Sequence, residues 1–171
     1  MLDLLIASEK LQARVAELAE EIQADYDGQV PLVIGILKGS IYFLTDLTRR
    51  LNLDLELDFM QLSSYGGAKT SSGIVQIRKD ADTNIEGRNV LIVEDIVDTG
   101  ATLEHLRELL NVRRPASLRI VALLSKREAK GLQTHVDYVG FEIPDVFVVG
   151  YGLDSGERFR NLPDISILRE D

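Results

Sequence analysis

The chain predicts an α/β fold with a mostly parallel central sheet flanked by helices. Residues 90–93 and Leu32–Leu37 are continuous apolar runs, and 118–124 is apolar except for Arg119, the pattern of strands buried on both faces. Segments with apolar residues at helical spacing lie between them, so strands and helices alternate. No linker, repeat or low-complexity tract divides the 171 residues, and 45% hydrophobic content suffices for a core, so residues 1–171 read as a single domain.

The elements follow in order. Residues 1–8 are apolar but short, without a basic lead or small-residue cleavage pattern, so neither a leader nor an anchor is expected. Leu11, Val15, Leu18, Ile22 and Tyr26 mark one face of a helix that begins near Ser8 and stops at Asp27-Gly28. Pro31 leads into the first buried strand, Leu32–Leu37. Lys38-Gly39-Ser40 then makes a tight turn, and 41–51 returns as a helix. Leu53, Leu55, Leu57 and Phe59 alternate with Asp54, Glu56 and Asp58, which predicts a strand with its acids in water. Residues 63–73, rich in Ser and Gly, form a long loop before a short strand at 74–78. Strand 90–93 ends at Glu94-Asp95 and passes through an Asp-Thr-Gly-Ala-Thr turn into a helix with Leu103, Leu106, Leu109 and Leu110 on one face. Pro115 breaks the chain ahead of strand 118–124, which ends at Ser125-Lys126. Strands at 138–142 and 146–149 complete the series, and the tail after Asp154 reads as irregular.

Residues 90–103 carry the chemistry. The first amides of a helix have no intrahelical partners and sit at the positive end of its dipole, so they attract an anion. Gly100 lets the backbone approach a phosphate, and Thr99 and Thr102 add hydroxyl donors. Glu94 and Asp95 repel phosphate but suit the hydroxyls of a ribose or a hard cation such as Mg²⁺. An acidic pair at a strand end followed by a hydroxyl-rich turn and a helix therefore describes a site for a phosphorylated sugar. Lys38, with Gly39 behind it, can grip a diphosphate from a second strand end. Lys126 can donate to a carbonyl oxygen on a base, and Phe147 can stack on a flat heterocycle.

Composition narrows the classes. A net charge of −9 argues against a nucleic-acid surface, which needs clustered Lys and Arg. The absence of cysteine removes disulfides, thiolate catalysis and zinc–thiolate sites. His105 and His135, the two histidines, read as ordinary surface residues. No apolar run approaches the length of a bilayer span, so a cytoplasmic protein without membrane contact is expected.

Residues 90–103 resemble the diphosphate-sugar signature of the phosphoribosyltransferase family. Gly35-Ile36-Leu37-Lys38-Gly39-Ser40, Ser63-Ser64-Tyr65-Gly66 with Ser71-Ser72-Gly73, Lys126, and 146–154 continuing to Phe159-Arg160 narrow the likeness to the bacterial hypoxanthine-guanine phosphoribosyltransferases. The resemblance spans about residues 32–163. It implies a small hood over the sheet's carboxyl edge, built from the N- and C-terminal parts. It also implies transfer of a phosphoribosyl group from 5-phosphoribosyl 1-diphosphate to hypoxanthine or guanine with Mg²⁺, by a homodimer or homotetramer.

Residue by residue, the resemblance gives Asp98 the proton from the purine N7. Lys38, Gly39 and Arg160 go to pyrophosphate, and Glu94 and Asp95 to the ribose and metal. Thr99, Gly100, Ala101 and Thr102 hold the phosphate, with backbone amides compensating for the small Ala101. Ile96, Lys126, Phe147 and Val148 meet the base, and Asp154 serves both base and metal. Ser64 and Tyr65 form a closing lid, and the Leu37-Lys38 peptide is expected to be cis. After Lys126 relatives often carry a proline and an arginine, whereas this chain has Arg127-Glu128-Ala129-Lys130; Lys130 supplies a charge without a bidentate grip. The rival readings are a transferase for another base, such as xanthine, and a regulatory nucleotide sensor on the same fold.

Overall fold

The computed structural model describes residues 1–64, 75–126 and 135–169. In chain order these form β1 (Leu2–Ile6), α1 (Ser8–Asp25), β2 (Leu32–Leu37), α2 (Ile41–Thr48), β3 (Glu56–Ser64), β4 (Val75–Lys79) and β5 (Asn89–Val97). They continue as α3 (Ala101–Asn111), β6 (Ser117–Lys126), β7 (Tyr138–Ile143), β8 (Val148–Val149) and β9 (Ile165–Leu168). The central sheet has the order β4-β3-β2-β5-β6-β7, with β4 antiparallel and every other neighbour parallel.

The apolar runs behave as their composition dictates. In β2, β5 and β6, Val33, Leu91, Val93, Val121 and Leu123 join the core beneath α1 and α2. Their neighbours Leu32, Ile34, Val90, Ile92 and Ile120 join the opposite core beneath α3. Each fully buried aliphatic side chain contributes about 1.5–3 kcal/mol. The sheet is therefore the middle of three layers. Among the described residues no helix is long and apolar enough to cross a membrane.

A second sheet, β1-β9-β8, is antiparallel and forms the hood. It corrects the expected irregular tail, since Ile165–Leu168 is a strand, and it recruits the apolar N-terminus as β1. Short pairing segments with partners more than a hundred residues away leave no local signature. The Ser8 amide donates to Asp164 Oδ1 at 2.7 Å, tying the start of α1 to this tail.

Two further expectations are revised. Helix α2 ends at Thr48, because the amides of Arg50 and Leu51 turn to the carbonyls of Leu47 and Thr48 and tighten the last turn. In β3 Phe59 packs against the core as expected, but Leu57 is 49% exposed and Asp58 is buried. Asp58 accepts amide hydrogen bonds from Phe59 and Thr83, with Lys79 Nζ 3.8 Å away. Burial alone would raise its pKa, but these partners hold it below the ordinary carboxylate value.

Candidate active site

Strands β2 and β5 part at their carboxyl ends. Their pairing runs from Leu32↔Val90 to Gly35↔Val93 and stops, whereas β5 continues beside β6 to Val97↔Ser125. Glu94 and Asp95 therefore lie inside β5 rather than at its end, a correction to the expected boundary, and they emerge where β2 has turned away. Because β2 leads to β3 on one side and β5 leads to β6 on the other, the gap is the switch point of the sheet, where open α/β sheets bind ligands.

Three pockets open from this gap, and Asp95 lines each of them. The first, ≈ 230 Å³, is bordered by Glu94, Asp98, Thr99, Gly100 and Thr102. Gly100 adopts φ 79° and precedes α3, whose first intrahelical bond runs from the Glu104 amide to the Gly100 carbonyl. The amides of Ala101, Thr102 and Leu103 thus stand at the helix N-terminus, where a phosphate is favoured. Ala101 is exposed and does not line the pocket, so its contribution is confined to its backbone.

The second pocket, ≈ 380 Å³, is bordered by Lys38, Gly39, Asp154, Glu157 and Arg160. The Leu37-Lys38 peptide is cis, as expected from the resemblance. Gly39 is tightly confined: a Cβ there would lie 1.5 Å from Asp95 Oδ2, and a Cβ on Gly152 would lie 2.0 Å from the Gly39 carbonyl oxygen. Lys38 Nζ donates to Glu157 Oε2 at 2.9 Å. Arg160 reaches Asp154 Oδ1 at 2.9 Å and Glu157 Oε1 at 3.3 Å, and donates to the Gly152 carbonyl at 2.8 Å. The hydrogen bond from Lys38 holds the Glu157 carboxyl below its ordinary pKa. The Lys38–Glu157 pair is exposed on both sides, and such pairs are weak enough to exchange for a stronger anion.

The third pocket, ≈ 240 Å³, collects Ile96, Asp98, Lys126, Phe147, Val148 and Asp154. Lys126 is 11% exposed and stands 3.2 Å from Asp98 Oδ2 and 2.8 Å from Asp145 Oδ1. Burial opposes its charge, but the two carboxylates outweigh it and raise its pKa. Phe147 is 56% exposed, so its ring is available to a flat ligand. On the floor, burial raises Glu94 well above its ordinary value, aided by the charge of Asp95, and pushes Asp95 up to about 6.

A family model described as the phosphoribosyl transferase domain matches residues 4–156. The chain belongs to the phosphoribosyltransferase family. Within it, the chain is 50% identical over 165 residues to the hypoxanthine-guanine phosphoribosyltransferase of Bacillus subtilis, covering 96% of this chain and 92% of that one. It is 49% identical over 167 residues to the bifunctional protein TilS/HprT of Listeria innocua. That match covers 98% of this chain but 26% of the Listeria protein, so the chain spans about a quarter of this relative's length. The crystal structure of a hypoxanthine-guanine phosphoribosyltransferase from Bacillus anthracis is similar at TM-score 0.93 and 44% identity, covering 98% of both chains.

For a phosphoribosyltransferase, the three pockets bring together most of the residues singled out in the sequence. Ser64 ends β3, while Tyr65 and residues 127–130 lie outside the described residues, so the lid and Lys130 do too. Sequence reasoning missed Glu157, although an acid three residues before Arg160 was a usable cue. It also missed Asp145, which orients Lys126 from a turn with no pattern of its own. Among the described residues no cluster of three or more side chains forms a ready metal cage. The hard oxygens of Glu94, Asp95 and Asp154 nonetheless border one pocket, which fits Mg²⁺, an ion that takes one or two carboxylates and completes its shell with water and phosphate.

Gly39 supplies a first expected result. Gly39→Ala forces its methyl into the Asp95 carboxylate and displaces both. Steady-state kinetics should show kcat/KM for the sugar diphosphate down by about 10²-fold, the scale of an ångström-sized misplacement. Unaltered kinetics would remove this turn from the site.

Proposed function

We propose that this chain transfers the 5-phosphoribosyl group from 5-phosphoribosyl 1-diphosphate to hypoxanthine or guanine, releasing pyrophosphate and giving IMP or GMP, as one domain acting in cytoplasmic purine salvage. The observation that carries the base assignment is the 3.2 Å contact between Lys126 Nζ and Asp98 Oδ2 beside Phe147. A 6-oxo purine presents its carbonyl and N7 side by side on one edge. A donor and an acceptor at this spacing match that edge when N7 carries the proton. This match supports the purine reading over a nucleotide sensor, which needs no proton acceptor at N7.

The residues divide the work as follows. Thr99, Gly100, Thr102 and the amides from Ala101 hold the 5-phosphate. Glu94 and Asp95 orient the ribose hydroxyls. Lys38, Gly39 and Arg160 receive the diphosphate, which displaces Glu157 from the two cations. As the anomeric C–O bond to the diphosphate lengthens, the sugar gains oxocarbenium character, and Lys38 and Arg160 stabilise charge on the departing oxygens. The purine N9 bonds to the anomeric carbon while Asp98 accepts the proton from N7. Phe147 stacks on the ring, and Ile96 and Val148 enclose it. Bound Mg²⁺, held by Glu94, Asp95 and Asp154, would neutralise diphosphate charge. The lid reading of Ser64 and Tyr65 adds exclusion of water. Assembly as a homodimer or homotetramer completes the proposal.

Pyrophosphate release should be strictly dependent on added base and equimolar with nucleotide formed; release without base would point to hydrolysis instead. The same assay in excess chelator should show no turnover and recover with Mg²⁺. Undiminished turnover under chelation would remove the metal from the account.

A further inference from the structure

The diphosphate pocket is bordered by a third cation, Arg78, alongside Lys38 and Arg160. Lys38 is engaged by Glu157, and Arg160 by Asp154 and Glu157. Arg78 is exposed, and its side chain makes no hydrogen bond or ion pair among the described residues. Its position is a product of the local fold. Consecutive residues Gln61 and Leu62 of β3 pair with Lys79 and Ile77 of β4, so Arg78 is the extra residue of a β-bulge. Bulges of this kind recur beside active sites, where they re-aim a side chain. The residues on either side are anchored. Lys79 donates to the carbonyls of Phe59 and Asp80 and to Asp82, and Ile77 packs against the α3-side core. The guanidinium is thus mounted on a fixed backbone with its donors uncommitted among the described residues.

Charge balance gives those donors a task. The pocket is also lined by four carboxylates, Glu94, Asp95, Asp154 and Glu157. Lys38 and Arg160 are already neutralised in part, so an incoming diphosphate meets a site short of positive charge. A planar guanidinium matches phosphate oxygens in bidentate fashion. We propose that Arg78 is a binding residue for the diphosphate of the sugar substrate and for released pyrophosphate, a role that rests on the phosphoribosyl-transfer reading above. Arg78 offers the anion a cation that no described residue engages, and the exchange with Glu157 on Lys38 and Arg160 follows.

The test is calorimetric titration of the full chain with pyrophosphate and Mg²⁺, and separately with IMP, for the wild type, Arg78→Gln and Arg78→Lys. Arg78→Gln should weaken pyrophosphate about tenfold, the scale of one charge-assisted hydrogen bond, and leave IMP unchanged, because its phosphate belongs to the Thr99–Thr102 pocket. Arg78→Lys should fall between, keeping the charge and losing the fork. In steady state the KM for the sugar diphosphate should rise in Arg78→Gln while that for the base stays constant. Equal pyrophosphate affinity in wild type and Arg78→Gln would overturn the assignment. An equal loss for IMP would also overturn it, by revealing a general electrostatic effect. A wild type that binds no pyrophosphate would instead overturn the reading of the whole site, and this role with it.

Discussion

Asp98→Asn is expected to lower kcat by roughly 10²-fold or more, the usual scale for loss of a positioned general base. The substitution keeps size and shape. The Asn carbonyl oxygen can still accept from Lys126, which stands 3.2 Å from Asp98 Oδ2, and Asp145 still holds the same ammonium at 2.8 Å. The pocket therefore keeps its geometry and loses only its proton acceptor. Binding of the sugar diphosphate should change far less, because the Lys38 and Arg160 side of the site is untouched. Single-turnover measurement isolates the chemical step from product release, which can mask the loss in steady state. A single-turnover rate equal to the wild type's would contradict the role of Asp98.

Lys126→Met should have the second large effect, on the choice of base. The Lys126 side chain is 11% exposed and its ammonium lies between two carboxylates, so removal costs the donor to the 6-oxo group and leaves Asp98 and Asp145 uncompensated. Turnover of hypoxanthine and guanine should fall by about 10²-fold, and their lead over adenine should narrow. A lysine ammonium has three donors and no acceptor, so in the wild type it faces the adenine amino group without a hydrogen bond. Equal losses for all bases would show that Lys126 supports the pocket without reading the purine.

The parts of this molecule that were legible in sequence are those governed by local chemistry. Leu32–Leu37 and residues 90–93 announce themselves as strands buried on both faces because composition decides it, and the Asp98–Thr102 turn reads as an anion site from its spacing. What stayed hidden depends on distant partners. Strands β1 and β9 exist because they pair with each other, Leu2↔Leu168 and Asp3↔Ile167. Asp58 is buried, against expectation, because it is met by the Thr83 amide and Lys79, neither of them foreseeable from β3 alone. Arg78 was invisible for the same reason, since a bulge is a property of two strands in register. The acids inside β5 were expected at a strand end, because the early departure of β2 is a feature of the sheet.

The most direct measurement is nucleotide formation by the wild type from 5-phosphoribosyl 1-diphosphate, Mg²⁺ and each of hypoxanthine, guanine, xanthine and adenine in turn. IMP and GMP should form efficiently with stoichiometric pyrophosphate, and adenine should be nearly inert, by several powers of ten in kcat/KM. Adenine used as well as hypoxanthine, or no nucleotide from either 6-oxo base, would contradict the assignment of Lys126 and Asp98 to the purine edge.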